Sequence, residues 1–253
     1  MDRRLEEKYD IVDVSLLAGK IMLESGAETY RVEDTMTRIA QAFGIQEAHS
    51  YVTPTGIMFS IETKEPTKTK LIRISDRTVD LKKVSLVNSI SRKISSGSLT
   101  VEEAYAQLKA LEAADIAFSL NMRIAAAFVS SGCFLIMFQG TWGDFIPAMI
   151  AGGAGFAALI YLHRLSPIKF FSEFMAAFII GLLSHFFVWT GMGQELDKII
   201  IGSVMPLVPG LMITNAVRDL MAGHLISGLA KGAEAFLTAF AIGIGIAAVI
   251  TFF

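Results

Sequence analysis

Apolar and polar positions keep one rhythm through the first half of the chain and another through the second. From Asp10 to Ser25, apolar residues recur at helical spacing (Ile11, Val14, Leu17, Ala18, Ile21, Met22). A second helix is predicted from Glu28 to Phe43, with Val32, Met36, Ile39, Ala40 and Phe43 on one face and Gly44 as its stop. Strand-like runs follow at Glu47–Val52, Gly56–Glu62 and Lys70–Ile74, the first two joined by a turn at Thr53-Pro-Thr-Gly56. Leu81–Ile94 reads as a helix, and Thr100-Val-Glu-Glu103 as a capping box opening a last helix towards Ala114. From Leu120 onward the periodicity dissolves into long apolar runs. A membrane span needs about 20 mostly apolar residues. Five runs qualify: Asn121–Phe138, Phe145–Leu162, Phe170–Trp189, Ile199–Val217 and Leu229–Phe253. The pattern predicts an α-helical polytopic membrane protein with about five transmembrane helices (residues 120–253), preceded by a small α+β domain (residues 1–119).

Charge sharpens this division. The chain holds 22 Lys+Arg and 24 Asp+Glu, and all but six of each lie before Leu120. A charge at mid-span costs at least about 2.5 kcal/mol, so a long stretch this poor in charge suits hydrocarbon. The joints between spans collect the breakers and the charges. Arg123, Arg164 with Lys169, and Arg218 with Lys231 fall at alternate joints, whereas the other two joints hold only Lys198. That alternation predicts a multi-pass protein of the inner or plasma membrane, with the N-terminal domain cytoplasmic and the C-terminus outside. Trp142 and Trp189 would then both lie near the outer interface. The N-terminus is polar and acidic, unlike a cleaved signal peptide. A net charge of −2 gives no case for nucleic acid. The single cysteine, Cys133, reads as a small packing residue and rules out an intrachain disulfide.

One span carries unusual chemistry. Within Ile199–Val217, Pro206 and Pro209 lack N–H groups and clash with the preceding turn, and Gly210 adds backbone freedom. They predict a break near mid-membrane, a feature tolerated only where it is buried in protein or lines a wet cavity. In transporters such breaks offer free N–H groups and helix-dipole ends to a substrate or ion. Pro206, Pro209, Gly210, Thr214 and Asn215 are therefore the candidate substrate site. Arg218 and Asp219 at the end of that span, and Glu234 one turn into the next, are the candidates for proton coupling or gating. Lys231 lies three residues before Glu234 on the same face. Small residues at four-residue spacing, Ala151 with Gly155 and Ala241 with Gly245, predict close helix packing. In the first half the most polar cluster is Ser25 to Glu33. There Glu28, Arg31 and Glu33 offer a ligand site at a helix start, against the plainer reading of a solvated face. No phosphate loop, nucleophile elbow or His/Cys metal spacing is present, so neither cofactor nor metal is expected and an enzyme is disfavoured.

Several of these stretches resemble the threonine/serine exporter family: Gly26-Ala-Glu-Thr-Tyr-Arg-Val-Glu33, Val52-Thr-Pro-Thr-Gly56, Leu207-Val-Pro-Gly-Leu-Met-Ile-Thr-Asn-Ala-Val-Arg-Asp219, Gly223 to Lys231, and Glu234-Ala235. The resemblance covers nearly the whole chain, with Pro209, Gly210, Asn215 and Asp219 on the signature stretch. It implies a cytoplasmic domain and a membrane bundle that exports small hydrophilic metabolites, driven by the proton gradient. Full-length members carry a second, shorter membrane module. This chain stops at Phe253 and so looks like the large subunit of a split exporter, partnered by a small membrane protein in the bilayer. A similar split pair is associated with succinate, so threonine/serine and dicarboxylate readings both stay open, as does self-association into a homo-oligomer. A membrane-anchored enzyme, or a sensor using the N-terminal domain, is the alternative.

Overall fold

The structure, a computed structural model, describes residues 3–62, 67–165, 168 and 170–252. It divides into two compact units. The first comprises residues 1–117 and 211–232, the second residues 118–210 and 233–253.

In the first unit, α1 (Arg3–Glu24) and α2 (Thr29–Ala42) are followed by β1 (Ala48–Thr53), β2 (Gly56–Ile61) and β3 (Lys68–Arg73), then α3 (Leu81–Ser95) and α4 (Val101–Ala113). The strands form an antiparallel meander in the order β1-β2-β3, with Val52 opposite Ile57 and Ile57 opposite Ile72. Alternation places Val52, Ile57, Phe59 and Ile61 in the core and leaves Tyr51, Met58 and Leu71 on the other face. The helices sit where their apolar spacing predicts. The α2 stripe of Val32, Met36, Ile39 and Ala40 is fully buried. The Thr100 hydroxyl accepts from the Glu103 N–H while the Glu103 carboxylate accepts from the Thr100 N–H, completing the capping box. The α1 helix departs from expectation. It starts at Arg3, and Val12, Leu16 and Leu23 are buried along with the predicted stripe. A helix apolar on nearly all sides belongs in the middle of a core, and α1 is the central element of this one.

The second unit contains α5 (Leu120–Met137), α6 (Phe145–Leu165), α7 (Phe171–Trp189) and α8 (Leu196–Val204). Two further helices, α9 (Gly210–Met221) and α10 (Leu225–Phe252), run through the points where the chain passes between units. Among the described residues, four helices are long and apolar enough to cross a membrane, and a fifth span follows if the bent pair α8–α9 counts as one. The small-residue pairs pack as expected. A Cβ on Gly155 would run into Ile180, and one on Gly245 into the Phe174 carbonyl. Ser203 on α8 donates to the Ala148 carbonyl of α6 at 3.0 Å. The buried Asp144 accepts from the Gln194 N–H at 2.6 Å and the Glu195 N–H at 3.3 Å, joining two loops at one end of the helices. Cys133, expected as packing, lies exposed on the outward face of α5. Ser166, Pro167, Lys169 and Phe253, which entered the reading of joints and spans, lie outside the described residues.

Candidate functional site

The predicted fourth span is interrupted. Helix α8 ends at Val204, Met205–Leu207 form a single 3-10 turn containing Pro206, and Val208 is extended. Pro209 follows, Gly210 opens α9, and the chain bends by 62° between the two helices. The cause is the one read from the residues: both prolines remove donors, and Pro209 bars the helical conformation at Val208, whose ψ of 128° is extended, although Met205 before Pro206 stays helical. No atom lies near enough to Gly210 for packing to demand a glycine there.

Helix α9 continues within the first unit as an amphipathic element. Asn215, Arg218 and Asp219 fall at i, i+3 and i+4 and so share one face. Asn215 and Asp219 are buried. The helix closes on Gly223, whose φ of +86° suits glycine, and the His224 N–H donates to the Asp219 carbonyl at 2.9 Å. This tight reversal starts α10 and returns Lys231 to the α9 face.

Asp219 is the hub and has no exposed surface. Its Oδ1 accepts from the Thr29 N–H at 2.9 Å, and its Oδ2 from the Thr29 hydroxyl at 2.9 Å. The Lys231 ammonium donates to the same Oδ2 at 2.7 Å and to the Thr29 hydroxyl at 3.1 Å. The carboxylate therefore sits on the first turn of α2, where orphan N–H groups and the helix dipole favour an anion. Next to it, Glu28 takes Arg218 Nη1 on one oxygen at 2.6 Å and Arg31 Nη1 on the other at 3.0 Å. The Asn215 amide donates to the Gly26 carbonyl at 2.8 Å. Gly26 has φ +86°, which lets the α1–α2 turn expose that carbonyl. At the edge, Glu33 accepts from the Val52 N–H at 2.8 Å and lies 3.7 Å from His224 Nδ1, while Ser227 donates to the Val52 carbonyl. The result is a buried polar network knitting α2, α9 and α10.

Its carboxylates differ in ionisation. Burial alone would push Glu28 up, but its own N–H and the Arg218 and Arg31 guanidiniums outweigh that and hold it below the usual carboxylate range. Glu33 is pushed up by burial, with Asp219 nearby adding to the rise. The Val52 N–H and His224 only partly offset it.

Of the residues singled out from the sequence, Asn215, Arg218, Asp219, Glu28, Arg31 and Glu33 come together here. Pro206, Pro209, Gly210 and Glu234 belong to the second unit, where Glu234 is half-buried, and Thr214 is exposed on α9. One correction follows. The reading of Glu28 to Glu33 as a solvated face fails at Glu28, which is 5% exposed and doubly paired. The ammonium of Lys231, three residues before Glu234, engages Asp219, a residue brought near by tertiary structure. Thr29, His224 and Ser227 were not singled out. Their signal was present in the two motif stretches Gly26–Glu33 and Gly223–Lys231, where they lie beside the residues that were.

Comparison with known proteins bears on what this network serves. A family model described as "Putative threonine/serine exporter" matches residues 13–253. A "Probable threonine/serine exporter" of Mycobacterium tuberculosis is 23% identical over 232 residues, 90% of this chain but only 44% of that protein. A "Probable succinate transporter subunit YjjP" of Klebsiella aerogenes is 27% identical, covering 97% of this chain and 95% of its own length. Its Escherichia coli counterpart of the same description is 24% identical over 97% and 96%. No solved structure matches the chain.

Proposed function

The chain belongs to the threonine/serine exporter family, and from that premise we propose that it is one subunit of a proton-driven exporter of small hydrophilic metabolites. The membrane-transporter character follows from the family. The substrate, the coupling ion and the partner are our reading. Threonine and serine come first, on the family description and the mycobacterial relative. Succinate is the second candidate, favoured by two transporter subunits that align along nearly their whole length. The same pair of coverages, near-complete for those subunits and 44% for the mycobacterial exporter, supports a split architecture in which a separate small membrane protein supplies the remaining module. Basic residues at alternate joints support a cytoplasmic N-terminus.

The observation that carries the reading is the interruption at Met205–Pro209 leading directly into α9. The positive end of the α9 dipole lies at this first turn and suits a substrate carboxylate. Thr214 and Asn215 lie within the next turn, where the Asn215 amide would exchange the Gly26 carbonyl for a substrate hydroxyl or second carboxylate. Proton uptake by Asp219 would remove its ion pair with Lys231 and weaken its hold on Thr29, releasing α9 from α2. Glu234 is the other candidate for that proton. Efflux of radiolabelled threonine and succinate, from cells lacking the chain and then supplied with it and its partner, tests the scheme. Pro209→Ala and Asn215→Ala should each slow efflux several-fold. Wild-type rates in both variants would refute the proposed site.

A further inference from the structure

The first unit contains a cleft that the transport scheme does not use. It lies between α2 and α3 and encloses about 480 Å³, within the range of small-molecule sites. On α2 it is lined by Arg31, Asp34, Thr35 and Arg38, the i, i+3, i+4, i+7 stripe of one helix face. On α3 the lining includes Asn88, Ser91 and Arg92. Two helices packed side by side would ordinarily turn apolar stripes towards each other. Here most facing positions are polar or cationic, Leu81 and Val84 being the apolar part of the lining, above a floor where Thr35 and Ser91 are buried.

The charges are unbalanced. Three guanidiniums reach the cleft against one carboxylate, Asp34, which is spent on Arg38 at 2.6 Å. Arg31 is also held from beneath by Glu28. Guanidiniums present planar forks of donors that match carboxylate and phosphate oxygens. A zwitterionic amino acid would bring an ammonium into the same field and be disfavoured. We propose that this cleft binds a small multivalent anion, a phosphate or a dicarboxylate, and that it does so as a regulatory site. Arg31 supplies the link. An anion that recruits Arg31 draws it from Glu28 and leaves that carboxylate to Arg218 alone, so occupancy is transmitted to the α9 network. The coupling is reciprocal: weakening the Glu28–Arg31 pair must tighten the cleft for its anion.

Calorimetric titration of the full chain in detergent tests this, with inorganic phosphate and succinate as separate probes and potassium chloride at matched ionic strength as control. Saturable binding of either probe, absent with chloride and weakened at least ten-fold in both Arg92→Gln and Arg38→Gln, is the expected result. The probe that binds more tightly identifies the class of anion. Arg92 is exposed on the surface of α3, so its substitution should not compromise folding. Glu28→Gln should tighten binding several-fold, a direction that a merely damaged protein would not produce. Titrations unchanged in both arginine variants, or no response beyond that of chloride, would overturn the proposal. Since succinate is also a candidate cargo, binding that survives both arginine substitutions belongs to the transport path and counts against the cleft.

Discussion

Removing both members of the Asp219–Lys231 pair should cost less than the sum of the two single losses, and the single losses should be unequal. Asp219→Leu leaves the Lys231 ammonium, on a residue 5% exposed, without its carboxylate and facing the neutral Thr29 hydroxyl at 3.1 Å and Ala27 carbonyl at 3.5 Å. Stripping one partner from a buried ion pair costs about 3–5 kcal/mol, because a charge is left without compensation. Lys231→Met leaves Asp219 with both Thr29 donors at 2.9 Å and the α2 dipole. Its cost should lie nearer about 1.5–3 kcal/mol, the scale of one hydrogen bond to a charged group. The double variant removes both charges and should be less destabilised than the sum of the singles by at least about 1 kcal/mol. Reversible unfolding of the purified full chain in mixed micelles, titrated with SDS, supplies the four free energies of the cycle. Additivity within about 0.5 kcal/mol would refute the reasoning, because it would mean the two groups do not interact in the folded protein.

Three further outcomes follow from the same geometry. Gly26→Ala should destabilise by about 1–2 kcal/mol, the cost of a left-handed backbone for a residue with a Cβ, with the Thr78 carbonyl only 3.3 Å from the added carbon; the same SDS titration reads it. The pH dependence has two opposed limbs. The raised pKa of Glu33 penalises its ionised form in the fold, so stability should rise as pH falls through that value towards the ordinary carboxylate value of about 4.3. The lowered pKa of Glu28 contributes stability that is present above its unfolded value and lost as pH falls through the folded one. Thermal unfolding against pH should therefore lose its upper limb in Glu33→Gln and its acid limb in Glu28→Gln. Finally, Gly152→Ala forces a methyl group against Ser131 and within 2.9 Å of the Ser203 carbonyl. Overpacking of that kind costs about 1–3 kcal/mol, whereas Gly143→Ala, whose nearest neighbour is 3.5 Å away, should be nearly silent.

Local chemistry was legible in the residues and partnership was not. The α2 stripe, the hairpin at Thr53–Gly56, the Thr100 capping box and the interruption at Pro206 and Pro209 all arise from forces acting within about one helical turn, so each could be read directly. Apolar spacing from Asp10 to Ser25 marks one stripe of α1, whereas the burial of Val12, Leu16 and Leu23 as well shows that the helix is enclosed. Asn215, Arg218 and Asp219 were recognised as polar residues out of place in an apolar stretch. Their partners Gly26, Glu28 and Thr29 lie 189 or 190 positions earlier. Spacing along one chain carries no information about a meeting at that range.

The membership of residues 211–232 in the first unit has a practical consequence for anyone dissecting this protein. A fragment cut before the first apolar run would lack the peptide that neutralises Glu28 and covers Thr29, and would bare polar groups evolved to be dry. Such a fragment would be a poor surrogate for the native domain, and its failure to bind or to stay in solution would say little about the intact molecule. A fairer excision would graft the α9 hairpin, through Lys231, back onto the amino-terminal piece by a flexible tether.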